Sequence, residues 1–360
     1  HFTLKENRLR SLPADLFNCM KKLSFFSLGM NYFRKIDDIF SLSESTLKEL
    51  EKQEPKQNNF DPETDVQTAQ CVLPELNHLE ISYNPMESLE GISTFKLICS
   101  DVSYLFLNNN RLKKITENDF KGLTKLITVE LENNLISEIQ PFAFQHCKIL
   151  GTINLDNNRL TKISKKAFLK LKQLRTLSLV DNQIDHIDDD AFKDLKDLDD
   201  LDISNNKLGD HNLSKSFSHL ISLNILNLSG NGISQITSNL CDQLRKVSIL
   251  KLKNNKIKRI EKDTFKNMKV LSTIEISENE LEFVHQEAFR KNCQIICVNF
   301  SKNMLKDISF IKNLTQINTL DVQENQIESI DGNLFDSLRK ITEINLSKNK
   351  IRSITKSCFQ

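Results

Sequence analysis

Hydrophobic residues recur along the chain in one pattern, L-x-x-L-x-L-x-x-N-x-L-x-x-I, followed by a variable stretch that ends in Phe. From Asn110 onward the asparagines of this pattern recur at a constant interval, except that the step from Asn206 to Asn231 is slightly longer and the step from Asn303 to Asn325 slightly shorter. A repeat of this kind predicts a solenoid, in which each repeat packs only on its neighbours. The fourteen anchor asparagines are Asn7, Asn31, Asn84, Asn110, Asn134, Asn158, Asn182, Asn206, Asn231, Asn255, Asn279, Asn303, Asn325 and Asn349.

Each position of the repeat has a physical role, which the repeat around Asn158 illustrates. Ile153 and Leu155 alternate with polar residues at period two, which predicts a short strand with its apolar side chains pointing inward. The chain is then expected to turn at Asn158, whose buried amide can both donate and accept hydrogen bonds. Stacked repeats would place these asparagines in a column that satisfies the backbone groups of the turns.

A second column is formed by phenylalanine on the far side of each repeat. Its members are Phe17, Phe120, Phe144, Phe168, Phe192, Phe217, Phe265, Phe289, Phe335 and Phe359, with Cys241 where one more is due. Bulky rings on one side and tight strands on the other predict a curved solenoid, with a parallel β-sheet on the concave face and a Phe spine on the convex side. The fold class is therefore an α/β solenoid of about 14 repeats.

The pattern predicts one domain over residues 1–360 with one interruption, at 41–75. The chain begins and ends inside a repeat, so we expect a fragment of a longer protein that lacks both solenoid caps. The interruption has two readings, a degenerate repeat with a surface insertion, or a loop for binding or processing. Its polar, proline-containing stretch is typical of a loop.

The 24-residue unit with its Phe spine resembles the repeat of extracellular leucine-rich-repeat proteins, especially the ectodomains of Toll-like receptors. The segment from Ser11 to Phe17 is similar to repeat turns of insect Toll-type receptors. The resemblance covers essentially all of the chain outside 41–75 and implies a leucine-rich-repeat horseshoe that binds a macromolecule on its concave face or lateral edge. It also implies an extracellular or cell-surface location, with a membrane contact only through a flanking segment, and a possible receptor homodimer.

Composition narrows the partners only slightly. The chain has 49 basic and 48 acidic residues, and this balance gives no overall attraction to nucleic acid or to anionic membranes. No apolar run is long enough to span a bilayer as a helix. A nucleic-acid ligand is disfavoured, and a protein or another macromolecule is expected.

The template also identifies the side chains that should point to solvent from the strands. Ser27 is one of these side chains that should point to solvent. The candidate binding residues form an aromatic group, an acidic strip and a basic spot. Exposed aromatic clusters are enriched in recognition sites, but the 41–75 segment could instead cover this one. The acidic strip could be a solvated face or a site for a basic ligand or cation. The candidates are Phe25, His78, Tyr83, Tyr104 and Phe106; Glu130, Glu132, Asp156, Asp200 and Asp202; and Lys251 and Lys253.

Cysteines and glycosylation signals bear on the compartment. Cys71 and Cys99 precede neighbouring repeats at similar phase, so they form either a disulfide or two buried thiols. Cys147 and Cys241 hold core positions, and Cys297 should point outward from its strand. Five N-x-S/T signals occur, about as many as chance predicts; they lie at Asn212, Asn227, Asn299, Asn313 and Asn345, of which Asn313 is the favoured glycan site.

No catalytic or cofactor motif accompanies the repeats. The histidines are scattered without the H-E-x-x-H spacing, and neither a phosphate-binding glycine loop nor a C-x-x-C pair occurs, so we expect no enzyme, metal or cofactor. Three functions remain open: the ligand-binding ectodomain of a Toll-like innate-immune or developmental receptor, a secreted or matrix adhesion protein, and an intracellular, cytoplasmic interaction scaffold.

Overall fold

The computed structural model describes residues 1–13, 16–17, 20–40, 73–89, 101–211, 213–289, 294–330 and 332–354. The chain divides into two compact units, one of residues 1–160 and 164–174 and the other of residues 161–163 and 175–360. Apart from residues 73–75, the 41–75 segment lies outside the described residues, as do Cys71, Cys99, Asn212 and Phe359.

The first unit contains a sheet of short parallel strands, one from each repeat. Consecutive strands pair in register, as Thr128 with Thr152 and Val129 with Ile153 illustrate. A second, two-residue strand pair joins Lys114–Ile115 to Glu138–Ile139, and a short 3-10 helix covers Ile36–Asp38. The strands of the sheet are Phe2–Thr3, Phe25–Ser27, His78–Glu80, Tyr104–Phe106, Thr128–Glu130 and Thr152–Asn154.

The second unit repeats the arrangement. Its two-residue strands pair as Lys162–Ile163 with His186–Ile187, Arg259–Ile260 with Phe283–Val284, and Ser329–Ile330 with Ser353–Ile354. An α-helix covers Ser238–Cys241 and a 3-10 helix covers Ser309–Asn313. The strands of its sheet are Thr176–Ser178, Asp200–Asp202, Ile225–Asn227, Ile249–Lys251, Thr273–Glu275, Cys297–Asn299, Thr319–Asp321 and Glu343–Asn345.

The predicted solenoid, in which each regular repeat adds one short parallel strand, is confirmed. In nearly every strand only the middle residue is buried, so the residues on either side of it lie on the outer face of the sheet. The phenylalanines pack against one another inside each unit, with ring centroids 5.0 Å apart for Phe120 and Phe144 and 4.9 Å apart for Phe265 and Phe289. Cys241 is fully buried in place of a ring, as the pattern predicted.

The anchor asparagines form the hydrogen-bond column that the sequence predicted. The Asn158 Nδ2 donates to the carbonyl oxygens of Leu155 at 3.0 Å and Asp156 at 3.1 Å within its own turn, and to that of Leu131 in the preceding repeat at 3.0 Å. Its Oδ1 accepts from the Ile136 backbone N–H at 2.9 Å. One buried amide therefore closes its own turn and joins it to the repeat before.

A feature absent from the sequence interpretation accompanies each anchor. The residue immediately before every anchor asparagine has a left-handed backbone, with φ between 53° and 59° at the thirteen positions that are not glycine and 68° at Gly230. Asn and Asp tolerate this conformation better than other side chains, and five of the fourteen residues are Asn. The left-handed residue lies three residues after the last residue of the strand, as Asn157 does after Thr152–Asn154, and turns the chain toward the anchor. These residues are Glu6, Met30, Tyr83, Asn109, Asn133, Asn157, Asp181, Asn205, Gly230, Asn254, Glu278, Lys302, Glu324 and Lys348.

Replacing the anchor tests the column. We expect Asn158→Ala to lower the free energy of unfolding by about 1–3 kcal/mol, because buried backbone groups lose their partners. Asn158→Asp should cost more at neutral pH, since a carboxylate cannot donate to the three carbonyls, and part of the loss should be recovered as acid protonates it. Urea unfolding followed by circular dichroism measures both effects.

The neighbouring residue supplies the control. Asn157 is exposed and left-handed, so Asn157→Gly should change the unfolding midpoint very little. Equal midpoints for Asn158→Ala and Asn157→Gly would show that the anchor amide contributes nothing to stability.

Candidate ligand-binding surface

Five aromatic rings lie together on the outer face of the sheet in the first unit. We call His1, Phe25, His78, Tyr104 and Phe106 the ring series. The rings of Phe25 and His78 stack with centroids 4.4 Å apart, and the ring of His78 lies 4.7 Å from that of Phe106 and 6.1 Å from that of Tyr104. His1 extends the series, with its ring 5.1 Å from that of Phe25.

Strand register explains this contact. Phe25 pairs with His78, and His78 pairs with Tyr104, so these side chains occupy one position on three adjacent strands. Adjacent strands are about 4.8 Å apart, which suits the stacking of flat rings. Phe25 and His78 lie on opposite sides of the 41–75 segment in sequence, and the fold brings them into direct contact.

A carboxylate lies beside the ring series and is held in place. The Glu80 carboxylate accepts a hydrogen bond from the Ser27 Oγ at 2.6 Å and lies 3.5 Å from the Lys5 Nζ. A side chain at Gly29 would crowd it, because a Cβ there would lie 3.1 Å from the Glu80 Oε1. The expectation that Ser27 points to solvent is wrong, since Ser27 is only 2% exposed beneath Glu80.

The central ring of the series carries no charge at neutral pH. Burial lowers the pKa of His78 from its ordinary value, and the nearby Glu80 carboxylate opposes this only in part. Protonating His78 would place a cation between the faces of Phe25 and Phe106 without full hydration. Burial therefore favours the neutral form of the imidazole at the centre of the ring series.

Three further exposed side chains belong to the same repeats as the ring series. Tyr83 is 48% exposed, and the sequence pattern missed two others, Met30 and Tyr32, which are 40% and 50% exposed. Met30 could have been found, because it precedes anchor Asn31 just as Tyr83 precedes Asn84. Tyr32, Tyr83 and Tyr104 are the three tyrosines of the chain, which has no Trp. Intrinsic fluorescence therefore reports on this region alone.

The acidic residues of the first unit adjoin the ring series along the sheet. Phe106 pairs with Glu130 across the strands, and the Glu132 carboxylate accepts a hydrogen bond from the Asn154 amide at 2.8 Å. Burial raises the pKa of Glu130, the Asn154 amide lowers it, and the charges of Glu132 and Asp156 raise it further. These carboxylates give the sheet face negative charge next to the rings.

In the second unit, Asp200 and Asp202 lie on one strand. The Asp202 carboxylate accepts hydrogen bonds from the Ser204 Oγ at 2.6 Å and from the Asn227 Nδ2 at 2.8 Å. Burial raises the pKa of Asp200, as do the charges of Asp202 and Asp199, while that of Lys251 lowers it. The Asp202 carboxylate is therefore held by hydrogen bonds from two neighbouring side chains.

The predicted basic spot is partly neutralised. The Lys253 Nζ lies 3.6 Å from the Glu278 Oε1, which also contacts the Lys302 Nζ at 2.9 Å. The pKa of Glu278 is lowered, first by its hydrogen bond from Lys302 and then by the charges of both lysines. The basic character that the sequence pattern assigned to Lys251 and Lys253 is therefore weakened by a carboxylate from the next repeat.

The predicted glycan sites differ in accessibility. Asn227, Asn299 and Asn345 end strands on the sheet face, where each side-chain oxygen accepts the backbone N–H of the residue two positions later. Asn313 is exposed at the end of a 3-10 helix, and its Nδ2 donates to the Gln286 carbonyl. All four glycosylation assignments stay predictions.

The thiols in the described ranges are unpaired. Cys147 and Cys241 are buried, and Cys297 is half-buried on its strand. Burial raises the pKa of Cys147 to about 12 and that of Cys241 still further, so both thiols are unreactive at neutral pH.

Two absences apply to the part of the chain that the structure describes. It contains no group of three or more His, Cys, Asp or Glu side chains that could hold a metal ion. It also contains no helix that is both long and apolar enough to cross a membrane.

Family models match two parts of the chain. A BspA-type leucine-rich repeat region matches residues 91–213 in six copies, and a leucine-rich repeat model matches residues 245–295 and 315–360. No curated protein sequence matches the chain.

Solved structures resemble the chain in fold. Toll in the Drosophila Toll–Spätzle complex superposes with a TM-score of 0.74 at 19% identity, over 97% of this chain and 47% of the Toll chain. An internalin from Listeria monocytogenes has a TM-score of 0.64 at 22% identity, over 80% of this chain and 79% of its own. TLR13 in its complex with ssRNA13 has a TM-score of 0.54 at 18% identity, over 96% of this chain and 64% of its own. The chain spans about half the length of Toll, and these identities establish the fold alone.

Tyr83 allows a test of whether an exposed side chain on the surface costs the protein stability. It has φ 57°, a conformation that costs a bulky side chain about 1–2 kcal/mol, and it is nearly half exposed. We expect Tyr83→Asn to raise the free energy of unfolding by about 1 kcal/mol. The reverse change at the equivalent position, Asn109→Tyr, should lower it by a similar amount. Urea unfolding checks both, and a less stable Tyr83→Asn would mean that the Tyr83 side chain contributes to the core.

Proposed function

Because the chain belongs to the leucine-rich-repeat family, whose two models together match more than half of it, we propose that it is the ligand-binding ectodomain of a Toll-like receptor. The receptor acts in innate immunity or development and recognises a macromolecule through the sheet face. The chain lies outside the cell in this proposal, and any membrane anchor belongs to flanking sequence.

The observation that carries this proposal is the ring series with its exposed rim. Aromatic side chains leave water readily and lose little conformational freedom on binding, so they dominate the energy of protein interfaces. Here they occupy a sheet face instead of a core, together with Tyr83 and Met30, which are exposed at 48% and 40%. An exposed apolar group of this size is typical of a site that a partner covers.

The charges beside the rings favour a protein ligand over a nucleic acid. Glu80, Glu130 and Glu132 lie on the same face, and their carboxylates repel a phosphate backbone. Toll, which has this fold, was solved in complex with Spätzle, whereas TLR13 was solved with a single-stranded RNA. The carboxylates beside the rings therefore favour a protein partner for this chain.

A signalling chimaera tests the proposal directly. The chain, with its natural flanking sequence, is displayed on cells and joined to an intracellular reporter domain, and the cells are exposed to extracellular fluid from the source organism. We expect Tyr104→Ala with Phe106→Ala to raise the stimulating concentration by about tenfold or more, since losing central aromatic contacts costs at least about 1–2 kcal/mol. Thr128→Ala with Thr152→Ala, on the same face, is the matched control.

Two outcomes decide the question. A response that the aromatic double variant leaves unchanged would remove the ring series from ligand recognition. A displayed chimaera that never responds, although antibody staining shows it at the surface, would contradict the receptor assignment and favour a matrix adhesion protein.

Glycosylation tests the location. We expect protein purified from its native source to lose mass on treatment with an N-glycosidase, with Asn313 converted to Asp. Asn313 is exposed, and an N-linked Asn keeps one amide hydrogen that can still bond the Gln286 carbonyl. Mass spectrometry of the intact protein and its peptides measures this, with Asn313→Gln as the control. An intact mass equal to the bare polypeptide would favour the intracellular scaffold.

A further inference from the structure

A second surface lies in the first unit, at the edge of the sheet where the strands begin. We call it the lysine edge, and it comprises Lys121, Lys148, Lys170 and Lys172 with Ile127 and Ile149. All six side chains are exposed. Lys148 and Lys172 hold the same position in consecutive repeats, and the strands that follow Lys121 and Lys148 pair in register. The stacking of repeats therefore gathers these lysines on one side of the unit.

The charges of three of these lysines lower the pKa of one histidine. His146 is half-buried among them, and its pKa is lowered, first by burial and then by the charges of Lys121, Lys170 and Lys148. Every charge that perturbs this imidazole is positive. The three lysines therefore lie close enough to His146 for their charges to act on it.

Carboxylates neutralise other lysines of the same unit. The Lys125 Nζ lies 2.8 Å from the Asp101 Oδ1, and the Lys113 Nζ lies 3.0 Å from the Glu87 Oε2. Across the described ranges, no carboxylate lies within ion-pair distance of Lys121, Lys148 or Lys172. These three charges are therefore available to a partner.

The backbone at Lys170 is unfavourable for a lysine. Lys170 has φ 69°, and the same position two repeats earlier is Gly122, with φ 94°. Glycine adopts this conformation without strain, whereas a residue with a side chain does so at a cost in free energy. Lys170 is not counted among the cations that the edge offers to a partner.

Two isoleucines separate the lysines from the sheet face. Ile127 is 39% exposed and Ile149 is 37% exposed. Gly151, beside Ile127, has no side chain to cover it, and its own Cβ position would lie 3.9 Å from the Ile127 Cγ2. The edge therefore offers two exposed apolar side chains together with the cations of Lys121, Lys148 and Lys172.

We propose that the lysine edge is a docking surface for an acidic segment of a partner protein that also carries apolar side chains. Carboxylates on such a segment complement Lys121, Lys148 and Lys172, and its apolar residues cover Ile127 and Ile149. A sulfated polysaccharide or a nucleic acid would meet the lysines equally well but would leave both isoleucines in water. The two apolar side chains therefore favour a polypeptide.

This surface is separate from the ring series, which lies on the sheet face of the first repeats. The docking surface does not depend on the receptor assignment, and the experiment below leaves the ring series intact. A result that contradicts one of the two proposals therefore does not bear on the other.

Fluorescence anisotropy with defined probes tests the docking surface on the full chain. The probe is a short labelled peptide of glutamates interspersed with leucines, compared with an all-glutamate peptide of equal length and with a heparin fragment. We expect the mixed peptide to bind more tightly than either comparison, with an affinity that falls as salt is added.

Two double variants separate the parts of the surface. Lys121→Gln with Lys148→Gln, and separately Ile127→Ser with Ile149→Ser, should each raise the Kd of the mixed peptide by about tenfold. Lys114→Gln with Arg159→Gln removes two exposed positive charges from the opposite edge of the unit and should leave the Kd within about twofold. Circular dichroism and tyrosine fluorescence confirm that each variant is folded.

Three results would overturn the proposal. The first is that no probe binds at low salt. The second is that the control pair weakens binding as much as the lysine pair, which would mean a general charge effect. The third is that heparin or the all-glutamate peptide binds as tightly as the mixed peptide while the isoleucine variant is unaffected, which would assign the edge to a simple polyanion.

Discussion

The hydrogen bonds of the anchor asparagine are the interaction on which the rest of this structure depends. A chain that turns every few residues buries backbone donors and acceptors that no helix or long strand can pair. One amide, such as that of Asn158, satisfies three carbonyls and one N–H and connects its own turn to the preceding repeat. Because the anchors recur at a nearly constant interval, the same solution is available to each repeat, and the strands are held in register.

The short strands set how much surface the fold presents. Each regular strand has three residues, and in most of them only the middle side chain is committed to the core, so its neighbours are free to vary. The surface can therefore change from repeat to repeat without disturbing the interior. The first unit shows this, since the same strand position carries Phe25, His78 and Tyr104 and then Thr128 and Thr152.

Two surfaces of opposite character result in the first unit. The sheet face combines aromatic rings with carboxylates, and burial favours the neutral form of His78. The lysine edge combines the cations of Lys121, Lys148 and Lys172 with exposed isoleucines. Burial of apolar side chains supplies affinity for a protein partner, while charge selects which partner binds. A unit with both kinds of surface is suited to contact two different polypeptide segments.

The sequence by itself determined the repeat, the short parallel strands, the column of asparagines and the buried phenylalanines, because each of these follows from a local period. It also identified most of the outward-facing strand positions, although Ser27 proved to be buried. The repeat pattern predicted that Phe25, His78, Tyr104 and Phe106 lie on one face of the sheet. It did so although residues 41–75 interrupt the pattern between Phe25 and His78. Only the tertiary structure decided which side chains touch: that the rings of Phe25 and His78 stack, that Glu80 covers Ser27, and that Glu278 partly neutralises Lys253. These contacts join different repeats and depend on rotamers and on local burial. A pattern read along one repeat contains no information on either, because both are set by what the neighbouring repeats supply.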